Sequence, residues 1–107
     1  MASIESFEDL QVWQLARDLS FYVKKLTLKG HFLKDFKFSS QITSAAGSTM
    51  DNVAEGFERD GNKEFINFLY IAKGSNGEVR SQSYRALDWN YISAEEHEKV
   101  LLFTEKL

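Results

Sequence analysis

Apolar residues recur along the chain at spacings of three and four, the period of helices with one buried face. Val12, Ala16, Leu19, Val23 and Leu26 form the first stripe, widened by Trp13, Leu15 and Tyr22. It predicts a helix over about 8–26, with Ser6 as cap and Glu8 and Asp9 placed for the helix dipole. The period fails in "TLKGHFLKDFKF". Gly30 reads as a stop, and 27–38 as a connection with room for a helical turn around Leu33–Phe36. A second stripe, Ile42, Ala45 or Ala46, Thr49 and Val53, predicts a helix over 39–55 that ends at Gly56 in the left-handed conformation. "FERDG" reads as the next turn. The third helix, 62–88, carries Phe65, Phe68, Ala72, Ser75 or Asn76, Val79, Ser83 and Ala86 on its inner face. Ser93 and Glu96 make a capping box that opens a fourth helix over 94–107.

Four helices without a strand signal predict one all-α domain, an antiparallel up-down four-helix bundle with a short fourth helix. The third helix is about 39 Å long and the fourth about 21 Å, so part of the third needs cover from another chain or from further residues. That part holds "FINFLYIA", apolar from Phe65 to Ala72 except at Asn67. Such a block implies burial on two sides: the bundle's own core and a subunit contact. Phe65, Ile66, Phe68, Leu69 and Tyr70 are the candidate contact residues. Small residues flank the block. Gly47 costs a helix about 1 kcal/mol against alanine, so a close approach by a neighbouring helix is expected there, helped by Ala45, Ala46, Gly74 and Gly77. Asn52 and Glu55 lie three apart on one helix, and Ser75 and Glu78 three apart on the next. They read as a hydrogen-bonded network fixing helix register, or else as a ligand notch, with Arg59 or Arg80 as the donor an acid would need.

The 107 residues include no proline, which favours uninterrupted helices. They include no cysteine, which removes disulfides and thiolate metal sites and fits a reducing cytoplasm. No apolar run approaches the roughly 18 residues that span a bilayer, and "MASIESFEDL" is not a secretory leader. Catalytic constellations are missing. Neither His31 nor His97 follows a glutamate by three residues, so the di-iron pattern of helical bundles is not formed. There is no G-x-S-x-G, and "KGSNGE" lacks the order of a phosphate loop. A binding protein without metal or other cofactor is expected, not an enzyme. The net charge is −3, yet it is unevenly spread. Lys24, Lys25, Lys29, Lys34 and Lys37 fall in one segment whose only acid is Asp35, while residues 1–23 and 88–107 are each net −3. The lysine segment is the candidate nucleic-acid contact, and ordinary solvated lysines are the alternative.

The segment "NVAEGFERDGNKEFINFLYIAKGSNGEVRSQSYRALDWNYIS", together with "FEDLQVWQLARDL", resembles the four-helix bundle proteins of the ribosomal RNA intervening-sequence family. The resemblance covers Phe7 to the end. It is most specific at Asn52, Ala54, Glu55 and Gly56, at Lys63, Glu64, Phe65, Phe68 and Leu69, and at Gly74, Ser75, Gly77 and Glu78. It implies an antiparallel bundle assembled as a homopentameric ring. It also implies a link to nucleic acid, RNA or DNA, because a structurally related group comprises retroelement accessory proteins that bind nucleic acid. A scaffold that contacts only protein is the rival. The family offers no catalytic residues to carry over. Met50, Gly61 and the short fourth helix depart from its usual pattern.

Overall fold

The stripes form α1 (Gln11–Thr27), α3 (Phe36–Glu58), α4 (Asn62–Asp88) and α5 (Ala94–Glu105), with a short α2 (Gly30–Lys34) between the first two. The structure is a computed structural model that describes residues 4–59 and 61–107. Direction follows from the contacts. Gln41 meets Arg85, Ser48 meets Ser75 and Gly56 lies against Phe68, so α3 and α4 run antiparallel. Asn76 meets Thr104 and Tyr84 meets His97, so α4 and α5 do too. Tyr22 meets Phe103 and Lys29 meets Glu96, which sets α5 antiparallel to α1. The result is an all-α bundle about 44 Å long. Among the described residues no helix is long and apolar enough to cross a membrane.

The inner faces are those the periodicity predicts. Ala16, Leu19, Val23 and Leu26 of α1, Ile42, Ala46, Thr49 and Val53 of α3, and Val79, Ser83 and Ala86 of α4 are buried. Leu19, Val23, Ile42 and Val79 share one cluster with Val100 of α5. Fully burying a side chain of this kind contributes roughly 1.5–3 kcal/mol. The capping box also forms: Ser93 Oγ accepts from the Glu96 amide, and the Glu96 carboxylate accepts from the Ser93 amide.

Several boundaries differ, among them the end of α5, which falls at Glu105 and not at 107. α1 begins at Gln11, because Phe7–Asp9 form a separate 3-10 turn, and Ser6 makes no side-chain cap bond to it. The 27–38 connection is mostly helical. α2 buries Phe32, which stacks on Phe38 at 5.3 Å, and Asp35 then caps α3 through the Phe38 amide. α3 therefore starts three residues before the predicted 39. It also continues through Gly56 to Glu58. Gly56 is a contact glycine: a Cβ there would lie 2.6 Å from Phe68 Cβ and 3.1 Å from Phe65 Cδ1. The turn falls instead at Gly61, whose φ of +99° suits glycine. "FERDG" is thus a turn only in its second half, and its Asp60 lies outside the described residues. Finally, the close approach expected at Gly47 occurs at Gly56. A Cβ at Gly47, Gly74 or Gly77 would meet nothing within 4 Å.

Candidate functional site

Three surfaces bear on function. The first follows from unequal helix length. α5 has 12 residues against 27 in α4, so it covers only the C-terminal half of α4. In line with its end, the space between α1, α3 and α4 is an apolar groove of about 410 Å³. Val12, Val53, Ile66, Leu69, Tyr70 and Leu107 line it. Ile66 is 50% and Tyr70 69% exposed, whereas Phe65, Phe68 and Leu69 are half-buried. The predicted apolar block therefore does have two sides, and its outer side faces solvent in the single chain. At the groove's edge, buried Asn76 donates from Nδ2 to the Thr104 carbonyl at 2.9 Å. Its Oδ1 has no partner among the described residues.

The second surface is the polar layer between α3 and α4. Ser48 Oγ and Ser75 Oγ share a hydrogen bond of 2.9 Å, and Asn52 Nδ2 donates to the Ser48 carbonyl (2.8 Å) and hydroxyl (2.9 Å). Ser48 thus joins Asn52 to Ser75. Its position one turn before Asn52 was the available signal, masked by the run of small residues around it. The two acids lie apart from this layer. Glu55 is exposed and pairs with Arg59 one turn on at 3.6 Å, and Glu78 is exposed. Arg80 reaches the other way, donating to the Leu101 carbonyl (3.2 Å) and Thr104 Oγ1 (3.1 Å), where it ties α4 to the last turn of α5.

The third surface is the end of the bundle where α1 finishes, α2 lies and α3 begins. Lys24, Lys25, Lys29, Lys34 and Lys37 are all exposed there. Lys29 forms an ion pair with Glu96 of α5. That hydrogen bond raises the Lys29 pKa. Burial alone would lift the Glu96 carboxyl, but the bonds from Lys29 and Ser93 outweigh it and the net shift is downward. Lys25 Nζ sits 5.5 Å from the ring of Phe21, itself 69% exposed. Lys24, Lys34 and Lys37 have no ion-pair partner among the described residues. The lone acid, Asp35, is engaged as the α3 cap and accepts from the Tyr91 hydroxyl at 2.8 Å, a bond that raises the tyrosine's pKa. Behind the lysines Phe32, Phe38, Trp89 and Tyr91 interlock, with ring centres 5.2–6.1 Å apart. Periodicity could not foresee this cluster, because its members come from α2, α3 and the turn after α4. No group of three or more His, Asp or Glu side chains suited to a metal forms among the described residues.

Fold and surfaces together define an all-α bundle protein with one bare apolar groove and one lysine-rich end. The model of the 23S rRNA-intervening sequence protein family matches residues 8–107, and the chain belongs to that family. The fold is similar to that of a crystal structure of a protein with unknown function from the S23 ribosomal protein family of Bacteroides thetaiotaomicron. The TM-score is 0.79 at 21% identity, over 89% of each chain. No curated protein matches the sequence.

Proposed function

We propose that the protein acts by binding and without catalysis, as a homo-oligomer that holds nucleic acid through its lysine-rich end. The observation that carries this reading is the set of five exposed lysines at one end of the bundle. Lys29 is paired with Glu96, whereas Lys24, Lys25, Lys34 and Lys37 have no ion-pair partner among the described residues. The only acid within their own segment, Asp35, is engaged by Tyr91 and the α3 amide. Its phosphate contacts would be largely indifferent to sequence. The family's link to ribosomal RNA genes supports nucleic acid as the partner and the cytoplasm as the location. Assembly enters because one such patch is weak. Repeating it around a ring raises avidity through effective concentration. The groove, with Phe65, Ile66, Phe68, Leu69 and Tyr70, is the proposed subunit contact, and the family resemblance gives five as the number of subunits.

Titration of labelled RNA and DNA at low and physiological salt tests the binding. Lys24, Lys34 and Lys37 are the residues to reverse, since replacing Lys29 would also break the pair with Glu96. Their triple replacement by glutamate should abolish binding without dissociating the oligomer. Single replacements should each lower the salt slope by roughly 0.7–0.9 for every phosphate no longer neutralised. A wild-type protein that binds neither nucleic acid at low salt rejects the proposal in favour of a protein scaffold. Sedimentation tests the assembly, and a monodisperse monomer at micromolar concentration overturns that half.

A further inference from the structure

Trp89 lies outside both the apolar groove and the buried core. It follows the last residue of α4, is 48% exposed, and stands edge-on against buried Phe38 (5.2 Å) and half-buried Tyr91 (5.8 Å). These neighbours pack against the indole, and about half of the residue remains exposed to solvent. Arg85, one turn earlier, lies with its guanidinium 4.7 Å from the Phe38 ring centre and 5.8 Å from that of Trp89. Its Nη2 donates to Gln41 Oε1 at 3.5 Å. Lys37 precedes Gln41 by one turn of α3, on the same helix face. Phe36, 77% exposed, begins that helix and offers a second free ring at the same end.

An exposed ring backed by a rigid aromatic cluster, flanked by an arginine plane and lysines, is the arrangement that receives an unpaired nucleobase. Bases stack on the ring or the guanidinium while cations take the adjoining phosphates. A duplex, whose bases are already stacked, gains nothing from the ring. We infer that Trp89 and Arg85 form a stacking platform for single-stranded nucleic acid, with Lys34 and Lys37 holding its phosphates. This rests on the nucleic-acid reading above and adds the strand state and the base contact. Asp88, exposed and next to Trp89, and Asp35, which follows Lys34 and accepts from the Tyr91 hydroxyl, are the unfavourable charges nearby. They weaken phosphate binding without obstructing a neutral base.

The chain's two tryptophans make the test direct, because Trp13 lies against Phe7 near the opposite end of α1. Trp13→Phe leaves Trp89 as the sole indole. Oligodeoxythymidylate and oligouridylate are added to this variant at low salt, and duplex DNA is added in parallel. Either single strand should quench the emission at least twofold, whereas the duplex should leave it unchanged. Separately, Trp89→Leu should weaken binding of the single strand roughly fivefold to a hundredfold by anisotropy of a labelled oligomer, with duplex affinity unaltered. Anisotropy that reports binding while Trp89 emission stays constant overturns the platform and leaves the phosphate-binding proposal standing. Absence of any binding overturns both. The emission measurement does not depend on the leucine variant folding.

Discussion

The two halves of α4 are mirror opposites. From Phe65 to Ile71 the helix is almost wholly apolar, yet Ile66, Tyr70 and Ile71 are each at least 50% exposed. From Ser75 to Ser83 it is polar, yet Ser75, Asn76, Gln82 and Ser83 are buried. α5 makes the difference. Where it lies against α4, polar side chains are enclosed, and Asn76 and Arg80 bond across to α5 at Thr104. Ser75 pairs instead with Ser48 of α3, and Ser83 with the Arg80 carbonyl of its own helix. Where α5 stops, apolar side chains have nothing over them. Burial in this bundle is thus set by which helix is opposite and not by residue type.

The sharpest challenge is to place the same charge in both halves. Val79→Lys puts an ammonium at a fully buried position beneath α5 and should cost roughly 4–5 kcal/mol, enough to unfold a marginal domain. Ile66→Lys should leave monomer stability within about 0.5 kcal/mol yet dissociate the proposed oligomer. Urea unfolding and sedimentation of the two variants separate these outcomes, and equal loss of stability would erase the distinction. Next come two glycines of α3. Gly56→Ala drives a methyl group into Phe68 and should cost roughly 1–3 kcal/mol. Gly47→Ala meets open space in the single chain and should gain up to about 1 kcal/mol of helix stability by thermal melting. A loss at Gly47 would instead indicate that a second subunit approaches there.

Arg80→Met tests what fastens α5. Removing two bonds to its last turn should cost about 1.5 kcal/mol, with hydrogen exchange accelerating in α5 before α1 or α3. The smallest effect is the pH dependence of the Lys29–Glu96 pair. The folded-state pKa of Glu96 is depressed, so its contribution is complete above the ordinary carboxylate pKa and is lost as pH falls through the lower folded value. Lys29 is raised, so its contribution is complete below the ordinary lysine pKa and disappears as pH climbs through the higher folded value. Glu96→Gln should remove the acid-side slope in urea unfolding measured against pH.

The sequence alone determined the buried stripes of α1, α3 and α4 and the Ser93 cap, because a period of 3.6 residues and a capping pair are local properties. It also placed an apolar block, interrupted only at Asn67, in the first half of α4. Only the tertiary structure decided the rest. It assigned Gly56, and not Gly47, to the close approach, since that depends on where Phe65 and Phe68 cross α3. It joined Asn52 to Ser75 through Ser48, sent Glu55 to Arg59, and gathered Phe32, Phe38, Trp89 and Tyr91 around Arg85. Each of these unites residues distant in the chain or on different helix faces. Their meeting is fixed by how the helices pack against one another, which no local pattern encodes.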